Sequence, residues 1–184
     1  MTRREQIRLA AVDVIAKGGF YETTIQEIAD TAEVSVGTIY NYFRSKEEIL
    51  GYIFEVECHH RAQLLQTLLA QNRPINQRFE TFLRLHFAEL RQNPSLAKLM
   101  IQEYRFPLKH EFAPMEEYAS QIPGLIGELL RPDGDSGLIG TIAFGALQAL
   151  SMRFLLSRDI DVEAAVQLMC TLFVSQRLPS HRIE

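Results

Sequence analysis

Residues 24–46 read TIQEIADTAEVSVGTIYNYFRSK, and this stretch contains the signals of two short helices. Thr24 is followed three residues later by Glu27, which is the spacing of a capping box, so the first helix is predicted to begin after Thr24. Ser35 can cap the second helix, which is predicted to run to about Phe43. Two short helices separated by so tight a turn predict a helix-turn-helix motif.

Apolar residues at helical spacing continue on both sides of this motif. Before it, residues 7–15 form one apolar stripe, and the pair Gly18-Gly19 supplies a stop. After it, Ser45 and Glu48 form a second capping box, which opens a long helix up to about Gln71. The first helix and the motif together predict a three-helix N-terminal unit.

The remainder of the chain is also predicted to be helical. One helix begins near Pro74 and ends before Asn93-Pro94, and others cover residues 95–104, 137–157 and 161–177. Between them, residues 108–130 contain Pro114 and Pro123, so a broken or kinked helix is expected there. No stretch alternates with the period of a strand. The predicted fold class is therefore all-α, with about nine helices.

The charge of the chain argues against a nucleic-acid partner at first sight. The net charge is −4, and the first fifty residues contain six Lys/Arg against eight Asp/Glu. A phosphate responds to charges within about 10 Å, however, so the positions of the cations matter more than their sum. Arg3, Arg4 and Arg8 cluster at one end, and Arg44 and Lys46 directly follow the third helix. Phosphates are expected at these places.

Cysteine usage and hydropathy indicate where the protein works. Cys58 and Cys170 are far apart in sequence and lack the paired spacing of a zinc site, which favours a reducing compartment. The N-terminus is charged and does not resemble a secretion signal. The longest apolar stretch, residues 138–156, is interrupted by Gln148 and Arg153 and suits a helix buried between helices. We expect a cytoplasmic protein with no membrane partner.

The run from Thr24 to Lys46 resembles the TetR family of transcriptional regulators almost position for position. The likeness covers about residues 3–50, and the remaining two thirds resemble the family only in helix count and length. It implies a DNA-binding helix-turn-helix domain at 1–46 and a helical effector-binding and dimerisation domain at 47–184. The expected function is that of a repressor that binds a palindromic operator as a homodimer and leaves it when a small effector binds.

The residue types on the third helix agree with this resemblance. Small residues let a helix backbone approach base edges, a threonine or valine methyl can contact thymine, and an asparagine can bond adenine or phosphate. Helix N-termini favour anions, which suits phosphate contacts at the starts of the second and fourth helices. Caps such as Thr24 and Ser35 would serve without DNA as well. The expected DNA contacts are Arg3, Thr24, Ser35, Val36, Gly37, Thr38, Tyr40, Asn41, Tyr42 and Lys46.

Bulky apolar side chains in the middle of the chain could line an effector pocket, although such residues at helical spacing are more often plain core. The resemblance implies an effector held among these helices. Residues 93–97 and 99–105 resemble the fatty-acid-metabolism regulators of the family, so long-chain acyl-CoA is the leading effector candidate, with Arg105 and Arg84 as candidates for binding the CoA phosphates. A multidrug-type or other hydrophobic ligand is the alternative. The candidate effector residues are Phe82, His86, Met100, Glu103, Tyr104, Arg105, Phe112, Met115 and Gln148.

Small residues in the last two helices allow two helices to approach closely, and the resemblance implies that this pair forms a dimer. The candidate interface residues are Gly140, Gly145, Ala149, Met152, Val166 and Met169.

The residues that could form a catalytic, metal or phosphate site do not have the required spacing in this sequence. Cys58, His59 and His60 are adjacent, so they point in different directions on a helix and lack a second ligand pair at metal spacing. The glycines of residues 134–145 lack the Lys-Ser/Thr ending of a phosphate loop. We expect no enzyme activity, no cofactor and no metal. A helical interaction module that no longer binds DNA is the second hypothesis, and the acidic charge balance is the main point in its favour.

Overall fold

The computed structural model describes residues 1–103, 113–132, 136–157 and 160–175. All regular structure in these ranges is helical, which confirms the all-α prediction. The helices are α1 (Arg3–Gly18), α2 (Ile25–Thr31), α3 (Val36–Tyr40), α4 (Lys46–Leu69), α5 (Ile75–Gln92), α6 (Pro94–Glu103), α7 (Ala113–Leu130), α8 (Ser136–Ser157) and α9 (Val162–Cys170), followed by a π-helical turn (Thr171–Ser175).

Two compact units divide the chain. The first contains the described residues of 1–62 and 89–122, and the second contains those of 63–88 and 123–184. Helices α4, α5 and α7 each contribute residues to both units. The domain boundary between residues 46 and 47 stays a prediction.

The core of the first unit is built from the apolar stripes that the sequence indicates. Ile7, Ile15, Ile28 and Ile39 are fully buried, and they come from α1, α2 and α3. Each such burial contributes about 2 kcal/mol of hydrophobic free energy. Helix α1 ends as expected at Gly19, whose φ of 83° places it in the left-handed region.

The core of the second unit is aromatic. The Phe79 and Phe82 rings of α5 stack at 6.4 Å between centroids, and Phe173 meets Phe79 edge-on at 6.4 Å. Further along α5, Phe87 meets Phe154 of α8 edge-on at 5.7 Å. Edge-on and offset aromatic pairs add about 1 kcal/mol each beyond the area that they bury. These contacts join α5 to α8 and to the turn after α9.

The proline-containing segment 113–130 is one helix. Helix α7 continues from Ala113 to Leu130 through Pro123, so a break at Pro123 is wrong, and a kink there stays a prediction. Pro114 lies in the first turn, where the missing N–H costs little. Residues 108–112 of the expected segment lie outside the described residues.

Helix α8 is long and apolar. With a mean hydropathy of 1.5, it is the single helix in the described part of the chain that could cross a membrane by length and composition. Core helices of soluble proteins pass the same test, so this is weak evidence for a membrane span. One face of α8 is buried, through Gly140, Ala143, Phe144, Leu147, Ser151 and Phe154.

The buried face of α8 approaches α7 at Gly140. A Cβ at Gly140 would overlap the carbonyl oxygen of Pro123 and lie 2.7 Å from the amide nitrogen of Gly127. Since the neighbouring atoms are backbone, they cannot move aside as a flexible side chain would. Glycine at 140 is therefore required by packing inside one chain.

We expect Gly140→Ala to destabilise the protein by about 2 kcal/mol, because overpacking against backbone strains both helices. The midpoint of thermal unfolding should fall by roughly 5 °C in a chain of this size. Gly124→Ala in α7 is the matched control, since nothing lies within 4 Å of its Cβ position. The control should unfold at or above the wild-type temperature. Equal midpoints for the two variants would contradict the close approach of α7 and α8.

Candidate nucleic-acid interface

The start of α2 is fixed by the capping box that the sequence predicts. Thr24 Oγ1 accepts from the Glu27 N–H at 3.2 Å, and Glu27 Oε2 accepts from the Thr24 N–H at 2.7 Å. These hydrogen bonds from the Thr24 backbone and side chain lower the pKa of Glu27. Because both bonds are local, they hold α2 without help from the rest of the chain.

The turn between α2 and α3 depends on Glu33, whose backbone conformation the sequence does not predict. Glu33 adopts a φ of 52°, which is uncommon for a residue other than glycine. The Val34 N–H then bonds back to the Ala29 carbonyl at 3.0 Å, and Ser35 Oγ accepts from the Thr38 N–H at 3.0 Å. This tight turn followed by a capped helix confirms the predicted helix-turn-helix. Neither glycine nor asparagine marks the left-handed position, so the sequence carries no signal for it.

Helix α3 is anchored on one side and open on the other. Ile39 is fully buried, and Phe43 is buried just after the helix. On the open side, Tyr40 and Tyr42 are 54% and 43% exposed. The other predicted contact residues of this region are at least partly accessible, namely Ser35, Val36, Gly37, Thr38 and Asn41. Ser35 Oγ and Thr38 Oγ1 also bond each other at 2.8 Å, so the two hydroxyls form one unit.

Lys46 connects the start of α4 to the loop before α2. Its Nζ donates to the Thr23 carbonyl at 2.6 Å and to the Tyr21 carbonyl at 3.1 Å, and lies 4.6 Å from the Phe20 ring centroid. Since Thr23 directly precedes Thr24, the ammonium is held close to the Thr24 cap. An ammonium has three N–H donors, so one donor remains beyond these two bonds.

The three N-terminal arginines have different environments. Arg3 is exposed and donates to Gln6 Oε1 at 2.8 Å. The Arg4 guanidinium lies over the Tyr52 ring, 3.9 Å from its centroid. Arg8 is 8% exposed and therefore cannot meet a phosphate, so the expectation for Arg8 is wrong.

Arg8 instead belongs to an ion-pair network between α1 and α4. It donates to both carboxylate oxygens of Glu5, at 2.9 and 2.7 Å, and its Nη1 lies 3.7 Å from Glu57. Its hydrogen bond lowers the pKa of Glu5, whereas burial raises the pKa of Glu57 in spite of Arg61 and Arg8 nearby. Removing one partner of such a buried pair costs about 3 kcal/mol, so the network is structural.

A cleft of about 460 Å³ lies beside this network. Helices α1, α4, α5 and α6 line it with charged residues such as Arg8 and Glu89 and with apolar residues such as Val12, Leu90 and Met100. Met100 is thus the one predicted effector residue at this cleft among the described ones. The mixture of both charge signs and apolar surface does not select one ligand class.

The other predicted effector residues are placed in several environments. Phe82 is 1% exposed in the aromatic core, and Gln148 is half-buried on α8. Buried His86 bonds Ser151 Oγ at 2.7 Å, and Ser151 gives its own proton to the Leu147 carbonyl, so His86 Nε2 is the donor. Glu103 Oε1 accepts from the Phe20 N–H at 3.1 Å. The residues Tyr104, Arg105, Phe112 and the Met115 side chain lie outside the described part of the structure.

Arg84, a candidate for the CoA phosphates, already uses three of its five N–H donors in ion pairs. It donates to both carboxylate oxygens of Glu163, at 2.7 and 2.8 Å, and to Glu80 at 2.9 Å. The hydrogen bonds to Glu163 and Glu80 raise the pKa of Arg84. Its guanidinium joins α5 to α9.

Neither cysteine is activated as a nucleophile. Cys58 Sγ donates to Gln121 Oε1 at 3.1 Å, and burial raises the pKa of this thiol to about 11. Burial also raises the pKa of Cys170. Within residues 1–103, 113–132, 136–157 and 160–175, no three His, Cys, Asp or Glu side chains come together as metal ligands.

The outer face of α8 forms an apolar stripe. Its exposed residues follow one another at intervals of four and three, which is the spacing of a helix–helix seam. They are Leu138, Ile142, Gly145, Ala149, Met152 and Leu156. Leu168 of α9 and Leu172 of the π turn are also exposed, at 57% and 46%.

Three of the predicted interface residues lie elsewhere. Gly140 packs against α7, and Val166 and Met169 are 1% and 2% exposed. They fill the core of their own chain, so they offer no surface to a partner. Gly145, Ala149 and Met152 remain on the accessible face.

A capped helix-turn-helix with an open recognition face, followed by a helical region, defines a DNA-binding regulator fold. The sequence pattern described as "Bacterial regulatory proteins, tetR family" matches residues 7–53. Residues 7–53 are therefore similar to the N-terminal domain of the tetR family of regulatory proteins.

One relative matches this chain beyond the helix-turn-helix. The fatty acid metabolism regulator protein of Bacillus subtilis strain 168 is 31% identical over 100 residues, which cover 54% of this chain and 52% of that relative. The match thus spans about half the length of the relative.

Two solved structures share the fold. The fatty acid degradation regulator FadR from Bacillus halodurans has a TM-score of 0.83 and 24% identity, over 94% of this chain and 95% of that one. FadR from Bacillus subtilis in complex with stearoyl-CoA has a TM-score of 0.77 and 24% identity, over 93% and 97% of the two chains.

Proposed function

We propose that this protein is a cytoplasmic transcriptional repressor that binds a palindromic operator as a homodimer and is released by an apolar-tailed effector. Two observations carry the DNA-binding part: the open face of α3, and the Lys46 ammonium held against the loop that leads into the Thr24 cap. A recognition helix reads base edges in the major groove, while a cation next to it holds the phosphate backbone. Here Thr38 would contact bases, and Lys46 with Thr24 would contact phosphate.

Lys46→Ala should weaken binding to all DNA sequences about equally and reduce the salt slope of log K by about one unit, because one phosphate contact is lost. Thr38→Ala should instead change which sequences are preferred. The measurement is fluorescence anisotropy, at several salt concentrations, with the duplex that the wild type selects from a random-sequence library.

Lys98→Ala is the matched control, since Lys98 is an exposed cation on α6, outside the helix-turn-helix, and its loss should leave the salt slope unchanged. If Lys46→Ala also left affinity and slope unchanged, the phosphate assignment would be wrong. If the wild type selected no duplex, the repressor hypothesis would give way to the alternative, a helical interaction module that does not bind DNA.

The apolar stripe on the outer face of α8 supports the homodimer. Exposed leucine, isoleucine and methionine side chains at Leu138, Ile142, Met152 and Leu156 favour burial against a second copy. Gly145 and Ala149 lie between them, so a helix from the partner could approach closely. A twofold dimer would place two recognition helices roughly 34–36 Å apart, which is the spacing of successive major grooves.

Ala149→Glu is expected to give monomers with little operator affinity, because a carboxylate in the middle of the stripe would be buried without a partner. Ala70→Glu introduces the same charge at an exposed position after α4 and should leave the dimer intact. Sedimentation at micromolar concentration distinguishes the two. A wild type that sediments as a stable monomer would refute the assignment.

Long-chain acyl-CoA is the leading effector candidate. A curated relative, 31% identical over 100 residues, is a fatty acid metabolism regulator, and a protein of the same fold was crystallised with stearoyl-CoA. An acyl tail gains about 0.8 kcal/mol for each CH₂ that it buries, so chain length should govern affinity. Release from DNA requires that the effector prefer the conformer that does not fit the operator.

Titrating the operator complex with acyl-CoA of increasing chain length should release DNA at progressively lower concentrations, since each added CH₂ strengthens binding about fourfold. Free CoA at equal concentration is the control and should release none. If no chain length released DNA while an unrelated aromatic compound did, the effector would belong to the multidrug-type alternative.

A further inference from the structure

The loop of residues 19–24 connects α1 to α2 and leads directly into the Thr24 cap. Its fold is compact: Gly19 turns through a φ of 83°, and Thr23 Oγ1 donates to the Gly19 carbonyl at 2.8 Å. The Phe20 side chain is 2% exposed and fixes the loop to the core. Any shift of this loop moves Thr24 and the two carbonyls that hold Lys46.

Charged side chains from two other helices, α4 and α6, bind this loop. From α4, the Lys46 ammonium binds the Tyr21 and Thr23 carbonyls. From α6, the Glu103 carboxylate accepts the Phe20 N–H, across 83 positions of sequence. A carboxylate is a stronger acceptor of an N–H than a neutral group is. The Lys46 ammonium thus binds two carbonyls of the loop, and the Glu103 carboxylate binds one of its amides.

We propose that Glu103 is a positioning residue for operator binding, acting through the 19–24 loop on the phosphate contact of Lys46 and Thr24. This inference rests on the proposed function and names a residue that controls it. Glu103 is the last residue of α6, which packs along α1. A displacement of the end of α6 therefore reaches the loop through one hydrogen bond.

The same geometry assigns Glu103 a role different from the one expected from the sequence, where it orients an effector. Its Oε1 is directed to a backbone amide of the first unit. Loss of the carboxylate then weakens DNA binding while the affinity of the DNA-free protein for an effector stays the same. Measuring the operator affinity and the effector affinity separately therefore distinguishes a positioning role from an effector-binding role.

The test compares Glu103→Ala, Glu103→Asp and Glu103→Gln with the wild type on the selected duplex. Alanine removes the acceptor, and aspartate retracts it by one CH₂, so both should weaken binding about five- to tenfold and lower the salt slope by about one unit. Glutamine keeps an acceptor at the same reach and should stay within about twofold. Gln102→Ala, at the exposed neighbouring position, is the matched control and should have no effect.

A double-mutant cycle with Lys46→Ala distinguishes positioning from a general loss of stability. If Glu103 acts through the loop, Glu103→Ala should have a smaller effect on affinity in the Lys46→Ala background than in the wild type, because only the Thr24 contact is left to lose. Stoichiometric titration gives the active fraction of each variant, so partial unfolding cannot imitate the change in salt slope. Additive effects in the cycle would overturn the proposal.

Three other outcomes have distinct meanings. A wild-type protein that selects no duplex contradicts the proposed function itself. A wild type that binds while Glu103→Ala and Glu103→Asp bind with unchanged affinity and slope overturns only the role of Glu103. A loss of stearoyl-CoA affinity in DNA-free Glu103→Ala, with operator affinity unchanged, shows that the carboxylate serves an effector instead.

Discussion

A helix of five residues cannot sustain itself in water, because it closes too few hydrogen bonds to offset the entropy of its nucleation. Helix α3 is of this length, so its direction is imposed by its surroundings. Buried Ile39 and Phe43 fix one side of it, and Ser35 Oγ accepts from the N–H of Thr38, the third residue of the helix. The rest of the first unit can be understood as a frame for this short helix. A shift of α1 or α4 beneath it would re-aim Tyr40 and the other exposed groups together.

Local spacing explains why so much of this frame is predictable from sequence. A capping box joins residues three apart, so Thr24 and Glu27 specify the start of α2 wherever the chain goes afterwards. Ser35 and Ser45 also cap their helices as expected. The second predicted capping box, Ser45 with Glu48, differs from a complete box in one hydrogen bond. The Glu48 carboxylate accepts from the Arg44 N–H at 2.6 Å instead of from the Ser45 N–H. Such local signals predict that α3 and α4 exist, and they leave only details of the termini open.

Long-range contacts are where prediction from sequence fails. Arg8 carries the same charge as Arg3, but it is buried between Glu5 of its own helix and Glu57 of α4. Helix α8 is apolar on nearly every side, so periodicity could not tell the face that holds Gly140 from the face that holds Ala149. The bond from Glu103 to the Phe20 amide depends on packing of α6 against α1, which no spacing rule encodes. In each case the partner is distant in sequence, and tertiary packing decides which side chain it meets.

The buried thiol of Cys58 has a consequence for the signals to which the protein can respond. Peroxides and electrophiles react with thiolate, and a thiol with a pKa of about 11 is ionised in about one molecule in ten thousand at neutral pH. The hydrogen bond to Gln121 and the surrounding helices shield the sulfur further. Oxidants and electrophiles would therefore react slowly with Cys58, so this thiol is poorly suited to sense them.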